Sequence, residues 1–273
     1  MTRLHKLVCL IMLCAFSAPG IADTNIEKLQ AAATGDHREQ KNIDRNQYRH
    51  PAETLDFFGI KDDMTVVEMF PGGGGWYTEV LAPYLRDNGK LYVASFNSES
   101  EVEYFRKNSK KYLDKLAAIP EVYDRVEVFE YEQGVKPDLK PEGQADMVLT
   151  FRNTHNWIRN DIAEETFRAM FKVLKPGGVL GLVQHRGNPS MQGKQWANKG
   201  YVSEAMVLEL ATKAGFQLAG KSEINGNPRD MKNYEKGVWT LPPVYREGDK
   251  DREYYQRIGE SDRMTLKFIK PAS

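Results

Sequence analysis

Short apolar runs alternate with segments of helical periodicity along most of the chain. The apolar runs predict seven β-strands, because each is short and rich in β-branched and aromatic residues, at residues 64–70, 90–96, 125–131, 145–151, 179–185, 216–223 and 264–270. Apolar positions three and four residues apart predict helices around and between them, at residues 51–58, 77–87, 99–118, 161–174 and 203–214. Strands that alternate with helices are typical of an α/β fold with a mostly parallel sheet covered on both faces.

The carboxyl-terminal part of the chain follows a different pattern. Residues 224–263, between the last two predicted strands, show no helix of clear periodicity. Parallel neighbours need a crossover connection, so these two strands are expected to form an antiparallel hairpin with a long insertion. We expect an N-terminal helical extension over residues 23–57 and the α/β domain over residues 58–273.

The first residues of the chain have the pattern of a secretory signal. Arg3 and Lys6 precede an apolar run over residues 7–19, and small residues follow up to Ala22. The run is shorter than the roughly 18 residues of a membrane-spanning helix, although a retained anchor is the alternative. We therefore expect a signal peptide at residues 1–22, a periplasmic or secreted mature protein, and no stable membrane insertion after cleavage. Both cysteines, Cys9 and Cys14, would leave with the signal.

The net charge of the chain argues against one class of partner, nucleic acids. The chain has 38 basic and 38 acidic residues, so its formal net charge is zero. A protein that binds nucleic acid through counterion release needs a basic excess, and none is present in the sum. At 41% hydrophobic residues, the chain can form one sizeable core. We expect a globular protein that does not bind nucleic acid.

A glycine-rich turn is the strongest chemical signal, in the segment VVEMFPGGGGWYTEVL. Gly72 to Gly75 lie between a predicted strand and a predicted helix, where glycine lets the backbone approach a ligand. The amino terminus of the helix offers free N–H groups to an anion, and Glu68 near the strand end can accept a hydrogen bond. A tight turn without a ligand is the alternative. Tyr77 stands where a dinucleotide-binding motif has its third glycine, which argues against NAD.

Three segments together resemble class I S-adenosylmethionine-dependent methyltransferases: EMFPGGGGWYTE after a strand, FKVLKPGGVLGLV entering another, and the late hairpin. YRHPAETLDFFG followed by PGGGGWYTEVLAP resembles, more narrowly, a group of predicted bacterial exported methyltransferases. The resemblance covers about residues 48–273. It implies a Rossmann-like class I methyltransferase sandwich, S-adenosylmethionine as cofactor, and methyl transfer to an unidentified acceptor, with a small molecule favoured.

The resemblance also implies that Glu68, Gly72 and Gly74 match the acidic and glycine positions of the cofactor motif. The predicted cofactor-binding residues are these three together with Gly73, Trp76 and Asn97. Two positions depart from the family pattern. Phe70 stands where the first motif glycine usually lies, and Ser95 stands where the second strand usually ends in a ribose-binding acid. Asn97 and Glu99 are the candidate substitutes for that acid.

The segment RNTHNW follows the predicted strand at residues 145–151 and supplies the catalytic candidates, His155 and Asn153. An imidazole with the ordinary pKa near 6.5 can accept a proton from a hydroxyl or amine at neutral pH. The alternative is that these side chains only satisfy backbone groups at a strand end. His50, His155 and His185 have no metal-ligand spacing, so no metal site is expected.

Aromatic and basic residues near the cleft have two interpretations each. Phe70, Trp76 and Trp157 either face a sulfonium or pack in the core. Arg49 either meets a carboxylate as part of a lid or ties the N-terminal extension to the domain. Because S-adenosylmethionine is made in the cytosol, a non-catalytic ligand-binding protein outside the cytoplasm is the alternative function, favoured by Phe70 and Ser95.

Overall fold

The computed structural model describes residues 24–132 and 134–272. The predicted signal peptide, with Cys9 and Cys14, lies outside the described residues. Within them, eight strands form one sheet: Thr65–Met69 (β1), Lys90–Ser95 (β2), Val126–Glu130 (β3), Ala145–Phe151 (β4), Leu174–Gly187 (β5), Val202–Ser203 (β6), Gln217–Ser222 (β7) and Arg263–Ile269 (β8). All seven strands predicted from apolar runs are present, and the short β6 was not predicted.

Helices connect and flank these strands. They are Asn25–Thr34 (α1), Gln40–Ile43 (α2), Asn46–Arg49 (α3), Pro51–Phe58 (α4), Thr78–Leu85 (α5), Glu103–Ala118 (α6), Pro120–Tyr123 (α7), Thr154–Arg159 (α8), Ala163–Val173 (α9), Lys194–Ala197 (α10), Glu204–Ala214 (α11) and Arg252–Ile258 (α12). A short 3₁₀ helix covers Gly237–Thr240. None of the helices in the described residues is both long and apolar enough to cross a membrane.

The sheet order is β3-β2-β1-β4-β5-β8-β7, with β6 beside β5. The strands β1 to β5 are parallel, whereas β8 runs antiparallel to both β5 and β7. The prediction of a mostly parallel Rossmann-like sheet with a C-terminal antiparallel hairpin is confirmed. The chain order reverses between β1 and β4, and ligands of open α/β sheets bind at the carboxyl ends of the strands beside such a point.

Two apolar layers cover the faces of the sheet. On one face, Phe58 of α4 and Leu81 of α5 pack against β1 and β4 without solvent exposure, and Leu29 of α1 joins them. On the other face, Phe167 of α9 and Val207 of α11 are fully buried. Each such side chain contributes about 1.5–3 kcal/mol by leaving water. Because α1 buries Leu29 in this layer, the first described helix is packed onto the domain; whether residues 23–57 form a separable extension stays a prediction.

The sequence pattern missed the local structure on both sides of the cleft. Residues after β4, which the sequence analysis treated as a strand end, form α8 and bury Trp157 and Ile158. The insertion between β7 and β8 holds the 3₁₀ helix and α12. Elements of four to seven residues carry too little periodicity to be recognised, and packing against the rest of the domain determines them.

Candidate active site

Three connected cavities lie at the carboxyl edge of the sheet. The aromatic cavity, about 520 Å³, is lined by seven Phe, Tyr and Trp side chains among others: Phe70, Phe96, Tyr104, Phe105, Tyr131, Trp157 and Trp239. The basic cavity, about 700 Å³, is lined by four arginines among others: Arg45, Arg49, Arg152 and Arg263. The junction, about 220 Å³, shares residues with both, and Trp239 borders all three. The three spaces therefore form one cleft with two ends.

The glycine turn meets this cleft in two places. Gly72 has a left-handed φ of +67°, lines the aromatic cavity and the junction, and a Cβ there would meet nothing within 4 Å. Gly74 lines the basic cavity, also with open space around a Cβ. Gly73 also lines the basic cavity but packs on α6, because a Cβ would lie 2.9 Å from Asn108 Oδ1, and its N–H donates to that oxygen at 3.0 Å. Of the three predicted glycines, Gly72 is the one that faces the aromatic cavity.

Phe70 has a left-handed backbone conformation, which glycine adopts readily. Its φ is +46°, a region that bulky residues rarely adopt, and its N–H donates to Ala94 O at 2.9 Å. The ring joins the aromatic wall, with centroids 5.0 Å from Phe96, 5.7 Å from Tyr131 and 6.4 Å from Trp157. The departure at this position therefore leaves the turn intact and adds an aromatic surface to the cavity.

Glu68 lies at the base of the junction and is almost fully buried. Burial raises the pKa of its carboxyl to about 7, although a hydrogen bond from Thr78 Oγ1 at 2.6 Å opposes the rise. Tyr112 lies 3.1 Å from the same hydroxyl. Glu68, the predicted cofactor-binding acid, therefore lines the junction. Thr78 of α5 binds its carboxyl directly, and Tyr112 of α6 contacts Thr78.

Trp76 and Asn97, the other two predicted cofactor residues, do not line the aromatic cavity. Trp76 borders the junction and the basic cavity, between the guanidinium groups of Arg38 at 4.8 Å and Arg49 at 4.6 Å from its ring. Asn97 Nδ2 donates at 2.7 Å to the carboxylate of Glu132, a residue that does line the aromatic cavity. Asn97 therefore orients an acid that the sequence analysis missed.

Glu132 lines the aromatic cavity, whereas Ser95 does not. Ser95 is buried, and its carbonyl oxygen accepts the N–H of Tyr131 at 2.9 Å. Glu132 follows β3, next to β2 in the sheet, and its second carboxylate oxygen accepts from Ser100 Oγ at 2.9 Å. Its position just after a predicted strand was the available signal, because the ends of parallel strands share one edge of a sheet.

Asn153 and His155 both line the aromatic cavity and the junction. The amide of Asn153 donates to Met69 O at 2.8 Å, so this hydrogen bond links the end of β1 to the start of α8. His155 is 5% exposed, and burial lowers its pKa to about 4. The expectation of an ordinary imidazole pKa is therefore wrong for this ring, which is neutral at pH 7.

His185, at the end of β5, approaches His155 with ring centroids 5.7 Å apart. It lines the junction and the basic cavity, and its Nδ1 lies 2.6 Å from Ser261 Oγ. Burial lowers the pKa of this imidazole well below its ordinary value. Within the described residues, no three His, Cys, Asp or Glu side chains are grouped so that they could hold a metal ion.

Solved structures with a similar fold include class I methyltransferases. An S-adenosylmethionine-dependent methyltransferase from Aquifex aeolicus aligns over 91% of this chain and 100% of its own, at 15% identity and a TM-score of 0.54. An S-adenosylmethionine-dependent methyltransferase from Methanosarcina mazei aligns over 80% and 98%, at 12% identity and a TM-score of 0.52. The [4+2]-cyclase SpnF aligns over 88% and 86%, at 17% identity and a TM-score of 0.57.

No protein-family model and no curated protein matches this sequence. At such identities the structural likeness shows the fold, and the cyclase among the similar structures illustrates that this fold carries more than one activity. The activity of this chain has to be argued from the cleft itself.

Proposed function

We propose that this protein transfers a methyl group from S-adenosylmethionine, bound in the aromatic cavity, to a small-molecule acceptor bound in the basic cavity. The observation that carries the proposal is the open aromatic cavity beside the glycine turn of a methyltransferase fold. Its volume of about 520 Å³ is within the usual range for small-molecule sites.

The lining residues fit a nucleoside that carries a sulfonium. Flat rings such as Phe96 and Tyr104 can stack on a base, and aromatic faces attract a cation by up to ~2 kcal/mol where water is excluded. The Glu132 carboxylate can accept a hydrogen bond from an amino or hydroxyl group. Gly72 leaves room for the ligand because no side chain projects from it.

When bound, the cofactor supplies an already activated methyl group. The residues of the chain then have to align the acceptor with that group and exclude water, and good alignment alone can supply about 7–11 kcal/mol of a barrier. The junction is where the two ligands would meet, because it connects the two larger cavities. Trp239 covers it from the β7–β8 insertion, with its ring 5.9 Å from that of His155.

Burial lowers the pKa of both imidazoles, so the pKa does not favour His185, and it is the hydrogen bonds that favour His185 over His155 as the proton acceptor. Gln184 Nε2 donates to Gly200 O at 2.9 Å, which fixes the amide so that the same nitrogen faces His155 Nδ1 at 3.3 Å. His155 Nδ1 is then the accepting nitrogen, and its proton is on Nε2. His185 can donate from Nδ1 to Ser261, which leaves its Nε2 free to accept a proton. Asn153 acts as a positioning residue through its bond to β1.

Calorimetric titration with S-adenosylhomocysteine and S-adenosylmethionine tests the cofactor assignment. Tyr104 is 62% exposed, so Tyr104→Ala should leave the Tm unchanged. We expect the Kd to rise roughly tenfold, since stacking a base on an aromatic ring is worth about 1–3 kcal/mol. Tyr254→Ala, at a 48% exposed tyrosine of α12 that does not line the cleft, is the matched control. No binding of either compound at millimolar concentration would end the proposal.

Transfer itself needs a separate measurement. Incubation of the protein with methyl-labelled S-adenosylmethionine and a small-molecule cell extract should move the label into a new compound. A protein that binds the cofactor and transfers no label would be a ligand-binding protein, the alternative stated from the sequence.

A further inference from the structure

The basic cavity concentrates positive charge in a chain that is neutral overall. Its lining includes seven lysines and arginines but three carboxylates. The basic residues are Lys41, Arg45, Arg49, Lys111, Lys115, Arg152 and Arg263. This excess indicates a site for an anion, provided that the positive groups are not already paired.

Two of the three carboxylates are neutralised locally. Glu39 pairs with Lys41 at the rim, and Glu79 pairs with Lys115 and, at 3.0 Å, with the buried Arg38. These pairs leave the four arginines of the cavity to the third carboxylate.

That carboxylate, Glu260, is 3% exposed and forms ion pairs with three arginines. Its oxygens accept from Arg45 at 2.6 Å, from Arg49 at 3.2 Å and from Arg263. Although burial opposes the shift, the charges of Arg263, Arg49 and Arg45 hold the pKa of Glu260 well below its ordinary value. One negative charge therefore faces four positive charges when Arg152 is included.

Two of these arginines have donor groups without partners. Arg49 is 2% exposed, and its Nη1 and Nη2 make no hydrogen bond to any described residue. The guanidinium of Arg152 makes no hydrogen bond or ion pair within residues 24–132 and 134–272. Arg152 has a left-handed φ of +65° directly after β4, and it lines both the basic cavity and the junction. Arg49 is fully buried whereas Arg152 is half-buried, and a buried positive group with unpaired donors is costly unless a ligand pairs with them.

A purely structural role explains only part of the cluster. Arg45, Arg49 and Arg263 tie the N-terminal helices to the segment before β8 through Glu260, and Arg49 also stacks on Trp76. Arg152 contributes to none of these ties. The pKa of Arg152 is lowered to about 10 by burial and by the nearby charge of Arg263, so it remains charged at neutral pH without a partner.

We infer that the methyl acceptor carries a carboxylate or phosphate group, which binds to Arg152 and the free donors of Arg49. The guanidinium fork matches the geometry of both anions. An acceptor held there extends into the junction, which Arg152 and His185 both line. That the anion belongs to a methyl acceptor depends on the proposed methyl transfer, whereas the anion site itself is inferred from the arginines alone.

Calorimetry at low ionic strength tests the site with two probes, inorganic pyrophosphate and citrate. The main variant is Arg152→Gln, because Arg152 takes part in no ion pair and its loss leaves Glu260 paired; Arg49→Gln is the second variant. Arg168→Gln, at an exposed arginine of α9, makes the same charge change away from the cleft. We expect Arg152→Gln to weaken binding of at least one probe roughly tenfold or more, since a hydrogen bond to a charged group is lost. Arg168→Gln should change the Kd by less than roughly twofold.

The same proteins are titrated with S-adenosylhomocysteine and with 5′-methylthioadenosine, which lacks the amino-acid carboxylate. Binding of S-adenosylhomocysteine without binding of either anion overturns the inference and leaves the cofactor assignment standing. Anion binding without S-adenosylhomocysteine binding supports the site and overturns methyl transfer. If Arg152→Gln weakens S-adenosylhomocysteine but not 5′-methylthioadenosine, the arginines hold the cofactor's own carboxylate, and the inference is overturned.

Discussion

Gly72→Ala tests the glycine turn with a single added methyl group. The φ of +67° makes an alanine there strained by about 1–2 kcal/mol, whatever the space around it. For a chain of this size, that strain lowers the Tm by roughly 2–8 °C. The added Cβ meets no protein atom within 4 Å, so it projects into the space assigned to the ligand. Crowding a packed contact costs about 1–3 kcal/mol, or a roughly 5- to 150-fold rise in Kd.

Gly143→Ala provides the matched control. Gly143 has a φ of +65°, open space around a Cβ, and lies exposed in the turn before β4, away from the cleft. Both variants should therefore lose the same stability in thermal unfolding, while only Gly72→Ala should lose affinity for S-adenosylhomocysteine in calorimetry. Equal affinities in the two variants, with matching Tm values, would show that the cofactor does not lie against Gly72.

Three further predictions address the floor, the packing and the cover of the cleft. Burial raises the pKa of Glu68 from 4.5 to about 7, so the stability gained by its protonated form is lost as the pH rises toward 7. Glu68→Gln should remove that loss in denaturant unfolding between about pH 4.5 and 7, and an unchanged pH profile would contradict the assignment. Asn225 donates to Thr54 and Thr265, both at 2.9 Å and buried, so Asn225→Ala should cost about 1–3 kcal/mol of unfolding free energy. The exposed Asn233→Ala should cost almost nothing, and equal losses would refute this role. Trp239→Ala should weaken S-adenosylhomocysteine and pyrophosphate together, because Trp239 borders all three cavities; loss of one ligand alone would count against a shared wall.

The sequence predicted those parts of the site that lie at the carboxyl ends of strands. The glycine turn after β1 and the segment after β4 were found because parallel strands bring their carboxyl ends to one edge. Gly72 and His155 do lie together at the junction. The contacts of Gly73 and Asn97 could not be predicted from the sequence, because their hydrogen-bond partners are distant in the chain. Gly73 donates to Asn108, and Asn97 donates to Glu132.

Residues that are far apart in sequence account for the rest of the site. Arg49, Arg152 and Glu260 come from three separate elements and meet only when the N-terminal helices, β4 and the segment before β8 pack together. The hydrogen bonds of the two histidines likewise depend on Gln184 and Ser261, which nothing near His155 in the sequence indicates.

The order of the seven longer strands, the mostly parallel sheet and the position of the glycine turn could be predicted from the sequence alone. These follow from local periodicity and from short motifs, which each segment carries within itself. The aromatic wall, the lowered pKa of His155 and the unpaired donors of Arg49 became visible only in the folded chain. Burial and charge pairing depend on neighbours brought together by folding, and those neighbours are set by packing rather than by any one segment.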